Sequence, residues 1–348
     1  FISNICCVFA GWMFYELALM DMPKKSALRA LKFLCILPAS FLLSAPLSDS
    51  LFLLLTALAW STSLVAQSAG AEHLPPFTFN ALRSLLAALV LLPVIRLRDR
   101  KCLQNGTPSG KPVTCEQKRA LFVGGALCGL CLGGALTLQQ IGIAYTSVSK
   151  AGFIASMYIV IVPLLGALLG GKVQLLDWVA VVLACVGMYL LCIKDGLSIG
   201  FGDLMMLLSA LCYALQILGV GRFVSRVDGV RLSCAQFFAC AAASGLLALL
   251  LERPTLAAVS AAAGAILYAG LVSSGLGFTL QILGQRDVSP TVASLLMSME
   301  SVFSVLFGWL LLGQALTPRE WLGCLVMFLA IILPQVFDLL VAQRGTSA

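Results

Sequence analysis

Between Leu51 and Leu340 the chain reads as long apolar stretches separated by short breaks rich in Pro, Gly and charge. Ten stretches can be bounded, at 51–71, 76–95, 120–145, 147–170, 174–193, 203–221, 232–251, 260–283, 290–312 and 319–340. About 20 apolar residues in a helix cross the ~30 Å hydrocarbon core of a bilayer, so each stretch predicts one transmembrane helix. Turn formers and charges end the runs at Glu72–Pro76, Lys194–Gly202, Arg222–Arg231 and Thr317–Glu320. Only a turn near Tyr145–Ser147 separates the third stretch from the fourth.

Basic residues give the bundle a direction, because short cytoplasmic loops carry an excess of Lys and Arg. If the first stretch starts in the cytoplasm, that side holds Arg96, Arg98, Arg100, Lys101, Lys111, Lys118, Arg119, Lys172, Arg222, Arg226, Arg231, Arg286 and Arg344. The outer side then holds only Lys150, Lys194, Arg253 and Arg319. Both ends of the ten-helix unit are therefore expected in the cytoplasm, within a cytoplasmic (inner) membrane.

Residues 1–50 fit this scheme less well. Phe1–Leu19 is apolar but interrupted by Glu16, and a basic stretch opening at Met22 precedes a short apolar run at Phe33–Leu47. The arrangement imitates a secretory signal, yet cleavage would set the new end outside, against the charge bias. We read 1–50 as a non-core extension, from an upstream start or as extra apolar helix.

Composition agrees with the pattern. Hydrophobic residues make up 60% and charged residues 11%, with a mean hydropathy of +1.02, whereas a soluble domain carries about 25% charged residues. The net charge of +7 sits in the inter-helical segments and reports topology rather than a nucleic-acid surface, so no nucleic-acid partner is expected. Thirteen cysteines suggest disulfides only until they are located. Cys185, Cys192, Cys212, Cys240 and Cys324 fall within apolar stretches, where Cys packs as a small hydrophobe. Cys128 and Cys131 form a CxxC without a second ligand pair. No metal or cofactor follows from it.

The chain also repeats itself. Thr137-Leu138-Gln139 with Gly142 returns as Thr279-Leu280-Gln281 with Gly284, an offset of 279 − 137 = 142. The same offset links Gly171 to Gly313, and Trp178 matches Trp321 one residue later. Earlier, Thr56–Trp60 resembles Ser209–Tyr213 at an offset of 153, the difference reflecting the longer 96–119 connection. Two repeats of five helices follow, at 51–193 and 203–340. An odd number of helices makes the second repeat enter from the opposite side, the inverted arrangement in which two halves rock about a midplane site.

Several of these residues resemble the EamA-type family of the drug/metabolite transporter superfamily. They are Trp60, Pro75-Pro76-Phe77-Thr78 running to Arg83, and Ala151-Gly152-Phe153-Ile154 before Pro163. Further along they are Thr279-Leu280-Gln281, Ser289-Pro290-Thr291, Met299–Phe303 and Leu311–Thr317. The resemblance covers roughly 51–340 and implies ten helices, cytoplasmic ends, and export or exchange of small metabolites. Two departures are visible. Glu300-Ser301 stands where the family often has Glu-Pro, which predicts a straighter ninth helix. Gly313-Gln314 stands where it often has Gly-Glu, which removes a polar anchor near the membrane surface.

Ionisable groups inside a bilayer are costly and mark function or a partner. Glu300 lies about ten residues into the ninth stretch, opposite its repeat mate Tyr158 (300 − 158 = 142). It is a candidate proton carrier or cation ligand, with a protonated structural Glu as the alternative. Arg83 lies about seven residues into the second stretch. It can bind a substrate carboxylate or phosphate through paired hydrogen bonds, pair with Glu300, or snorkel to the surface. Gln139 and Gln281 are symmetry mates, and Trp60, Tyr213 and Gln216 can line a cavity or simply pack between helices. Gly125, Gly129 and Gly133, like Gly166 and Gly170, are spaced for close helix approach, and Pro163 predicts a kink.

No nucleophile–base pair, HExxH site or carboxylate cluster points to an enzyme. An ion channel would show a repeated filter motif. The pattern predicts a secondary transporter working by alternating access on a small-molecule substrate, with a proton as one candidate coupling ion. A structural or assembly membrane protein is the alternative. Assembly as a homodimer is compatible with either.

Overall fold

The computed structural model describes residues 47–63, 67, 70–104, 111, 114–146, 148–171, 173–192, 200–303 and 317–345, and among these there is helix and no strand. The elements are α1 (Leu47–Ser61), α2 (Pro76–Gln104), α3 (Cys115–Ile143), α4 (Val148–Ala155), α5 (Tyr158–Leu168), α6 (Leu175–Cys192) and α7 (Phe201–Phe223). There follow α8 (Gly229–Leu251), α9 (Leu256–Ala261), α10 (Ala263–Tyr268), a π-helical segment (Ala269–Phe278), α11 (Thr279–Gly284), α12 (Pro290–Met297) and α13 (Pro318–Gly345). Among the described residues six helical segments are long and apolar enough to cross a membrane: 76–104, 115–143, 151–168, 201–223, 229–251 and 263–284. Two further apolar helices, 51–61 and 175–191, are shorter. The 1–46 part of the expected extension, residues 304–312 of the ninth stretch, and Gly313 and Gln314 lie outside the described residues.

Local chemistry sets the helix starts. A capping box opens α3, where the Gln117 backbone N–H donates to Thr114 Oγ1 at 3.2 Å and the Thr114 N–H donates to Gln117 Oε1 at 3.4 Å. Asp228 caps α8 by accepting from the Arg231 N–H at 3.1 Å. Ser289 caps α12 ahead of Pro290, whose missing N–H costs nothing at that position. The 96–119 connection is shorter than the charge pattern suggests. Arg96, Arg98, Arg100 and Lys101 ride on the end of α2, and Lys118 and Arg119 on the start of α3. Long basic side chains can extend a helix beyond the hydrocarbon without leaving it.

Contacts between helix ends divide the bundle into two faces. On one, Arg98 meets Asp228 at 3.0 Å and Arg231 meets Asp99 at 2.6 Å, while a Cβ added at Gly284 would lie 2.6 Å from the Asp49 carbonyl oxygen. On the other, the Glu252 carboxylate accepts from the backbone N–H groups of Phe77 and Thr78 at 2.9 and 2.7 Å, holding the start of α2. Thr146 donates to Asp203 at 2.8 Å on that same face. Successive helices α2, α3, α7 and α8 thus cross in alternating directions.

The helices pack closely where glycine permits. A Cβ added at Gly125 would lie 2.5 Å from the Ala235 Cβ, and one at Gly129 would collide with the Gln236 carbonyl. The GxxxGxxxG face of α3 is therefore its contact with α8. Gly170, at φ +82°, follows the end of α5 in a conformation that favours glycine.

Two of the apolar stretches are interrupted. Pro163 lies inside α5, and the fourth stretch breaks seven residues earlier, at Ser156–Met157, where Ile159 and Val160 N–H groups bond three residues back. The ninth is interrupted as well, since α12 ends at Met297 and helix resumes over 299–303. The absent proline does not leave that helix continuous.

Candidate functional site

The two interrupted helices bring Tyr158 and Glu300 to the middle of the bundle, Tyr158 directly after the Ser156–Met157 break and Glu300 two residues after Ser298. Together with Trp60, Arg83, Gln139 and Tyr213 they line one cavity, completed by Ser63, Gln67, Leu136, Ala155, Ser273 and Phe278. The cavity encloses about 30 Å³, room for roughly two waters by the ~10–15 Å³ that each requires.

Aromatic rings form much of its wall. Trp60 packs on Phe278 at 4.5 Å between centroids, Tyr213 stacks on Phe278 at 6.4 Å, and Tyr158 meets Tyr213 edge-on at 6.4 Å. Gln139 is held by the Tyr213 hydroxyl, which donates to its Oε1 at 2.7 Å.

Arg83 is fully buried. Its Nε donates to Ser274 Oγ and its Nη2 to Ser273 Oγ, both at 3.1 Å, while Nη1 has no partner among the described residues. It therefore neither snorkels to the surface nor pairs with Glu300 in this arrangement. The reason is the π-helical segment, whose wider turn carries both serines toward α2. Gly270, Gly275 and Gly277 accompany that turn, and a Cβ at Gly277 would lie 2.7 Å from the Trp60 indole nitrogen. A π turn also re-aims backbone carbonyls. Trp60 Nε1 donates to the Ser273 carbonyl at 3.2 Å, and Thr56 Oγ1 to that of Gly277 at 3.0 Å. Ser63 Oγ donates to Ser273 Oγ at 2.8 Å and itself accepts from Gln67 Nε2 at 3.1 Å. One polar chain thus joins the first helical stretch to Arg83 through the π segment.

Glu300 is 8% exposed and hydrogen-bonds to no described residue. Tyr158 Oη and Gln67 Oε1 are likewise without a partner among the described residues. A buried cation and a buried carboxyl thus share a cavity without touching, with two unsatisfied polar atoms beside them. Such an arrangement can receive a polar or charged guest.

Two expected site residues lie elsewhere. Gln216 and Gln281 bond to each other away from the cavity lining. Conversely, Ser273, Ser274, Ser63 and Gln67 were not singled out from the sequence. The signal available for the first two was a Ser-Ser pair amid glycines inside an apolar run.

Comparison with known proteins gives this geometry its context. The sequence model of the EamA-like transporter family matches twice, at residues 47–193 and 200–334. An uncharacterized transporter of Archaeoglobus fulgidus is 28% identical over 286 residues, covering 81% of this chain and 83% of its own. The uncharacterized inner membrane transporter YedA of Escherichia coli K12 is 26% identical over 299 residues, covering 83% and 90%. A solved crystal structure superposes with a TM-score of 0.66 at 19% identity over 83% of this chain and 97% of its own, a likeness of fold alone. With family matches covering most of its length, this multi-pass membrane protein belongs to the EamA-like transporter family.

Proposed function

We propose that the chain is a secondary active transporter, an exporter or exchanger of small metabolites, that exposes the Arg83–Glu300 cavity alternately to the two sides of the membrane. The observation that carries this reading is the cavity itself. It holds a buried guanidinium and a buried carboxyl, separate from each other, at the junction of two interrupted helices. Arg83 Nη1 is the group for a substrate anion, such as a carboxylate or phosphate. Glu300 is the group for a proton or for a substrate cation. At about 30 Å³ the cavity is far smaller than the about 300–1,000 Å³ that small-molecule sites occupy, so transport requires its walls to part.

Internal repetition supports the rocking of two halves. Helix starts at Pro76 and Gly229 differ by 229 − 76 = 153, and those at Val148 and Pro290 by 290 − 148 = 142. Those at Leu175 and Pro318 differ by 318 − 175 = 143. The helix interruptions at Ser156 and Ser298 also lie 142 residues apart. We read this as two five-helix repeats, 51–193 and 203–340, of inverted orientation, ten helices in all, with the face bearing Arg98 and Asp228 in the cytoplasm.

Flux tests the reading. Proteoliposomes are loaded with a filtered cytosolic metabolite extract, a proton gradient is imposed, and released compounds are identified by mass spectrometry. Wild type should release specific metabolites that equally loaded, protein-free liposomes retain. Glu300→Gln keeps size and hydrogen bonding but cannot titrate. It should lose gradient-driven movement while retaining exchange. A variant that still concentrates solute as wild type does would make Glu300 structural, and no protein-dependent release at all would contradict transport.

A further inference from the structure

Four buried glutamines meet outside the cavity lining, toward the face that carries Arg98 and Asp228. Gln281 Nε2 donates to Gln216 Oε1 at 3.0 Å and, at 3.5 Å, to Gln285 Oε1. Gln216 Nε2 donates to Gln236 Oε1 at 3.3 Å. Gln236 Nε2, Gln281 Oε1 and Gln285 Nε2 have no partner among the described residues. Buried polar groups are normally satisfied, and each one left unmade costs free energy. Three in one contact cluster call for an occupant in some other state of the protein.

The repeat offsets identify this cluster's counterpart. Gln236 corresponds to Arg83 (236 − 83 = 153), Gln216 to Ser63 (216 − 63 = 153) and Gln281 to Gln139 (281 − 139 = 142). Each of those three mates lines the central cavity. Depth agrees as well. Arg83 lies seven residues inside the start of α2, and Gln236 seven inside the start of α8. At 1.5 Å per residue both sit about 10 Å from their respective faces. An inverted repeat that builds a polar lining below one face builds its counterpart below the other.

Resting on the alternating-access reading above, we propose that Gln216, Gln236, Gln281 and Gln285 form a second polar site, opening to the Arg98–Asp228 face. It takes the uncharged hydrogen-bonding groups, amide or hydroxyl, of a solute in transit. The four amides offer both donors and acceptors and carry no charge. They can therefore hydrogen-bond to a passing group without trapping an ion, whereas Arg83 and Glu300 supply the charged contacts.

Cysteine accessibility tests this without knowledge of the substrate. Residues 241–323 contain no native cysteine, so labels on Gln281→Cys and Gln285→Cys can be localised by peptide mass spectrometry. Gln285→Cys loses only the 3.5 Å contact and guards against misfolding of the first variant. The full chain is reconstituted in sealed vesicles of each orientation and treated with the impermeant reagent 2-(trimethylammonium)ethyl methanethiosulfonate. We expect both cysteines to react from the Arg98–Asp228 face and neither from the other, while Gln139→Cys, which lines the central cavity, reacts from both. Silence at 281 and 285 with labelling at 139 would overturn the second site and leave the transport reading standing. Silence at all three would overturn both. Labelling of 281 from the Glu252 face would merge it with the central cavity and overturn its separate role. Reaction with small iodoacetamide alone would reduce the cluster to a water pocket and overturn the solute assignment.

Discussion

Arg83 is legible in the sequence where its partners are not. A guanidinium inside an apolar run announces itself, because burying it unpaired is expensive. Its partners do not, because Ser273 and Ser274 read as small packing residues until the π turn points them at α2. The fork makes two bonds to these hydroxyls and keeps Nη1 for a guest. Lys offers one point charge and cannot reproduce that geometry. Arg83→Lys should therefore insert normally but weaken apparent affinity for the transported anion by roughly 10- to 100-fold, the equivalent of about 1.5–3 kcal/mol for a charged hydrogen bond. The half-saturating concentration in the flux assay checks it, and an unchanged value would make Arg83 a structural residue. Glu300 was legible for the same reason as Arg83. Gln281 stands out as the repeat mate of Gln139 and Gln216 as an amide among aromatics, but neither signal specifies surroundings, and both lie in the glutamine cluster instead of the cavity.

At the scale of elements, apolar run length and the Pro, Gly and charge between runs foretold most helix positions, since burial in lipid leaves helix as the economical answer for the backbone. What stayed hidden was irregularity. The π segment has no spacing signature, and neither Ser156 nor Ser298 stands at a proline. Pro163 was the visible breaker, yet it lies within α5. Glycine was more reliable. Gly129→Ala would drive a Cβ into the Gln236 carbonyl, and backbone cannot yield as a flexible side chain can. It should lower thermal stability by about 1–3 kcal/mol. Gly264→Ala meets nothing within 4 Å and should leave the melting temperature unchanged or slightly raised. Differential scanning fluorimetry in detergent reads both, and equal effects would remove the close α3–α8 approach as the cause.

For the whole molecule, charge bias and contact geometry are independent observations that sort the helix ends into the same two groups. Asp99, Arg98, Asp228 and Arg231 clasp α2 to α8 on one face, and Glu252 holds the start of α2 on the other. The bias assigns the first face to the cytoplasm. Cys115 is native and exposed there, so an impermeant thiol reagent should leave it unlabelled in intact cells while labelling Glu72→Cys. The reverse would invert the bundle. The central claim is that one buried cavity serves both faces in turn. Ser63 lines it, and Ser63→Cys changes little more than the size of one atom. In sealed vesicles of either orientation, an impermeant methanethiosulfonate reagent should modify that cysteine from both sides. Modification from one side only, or from neither, would contradict alternating access through this cavity.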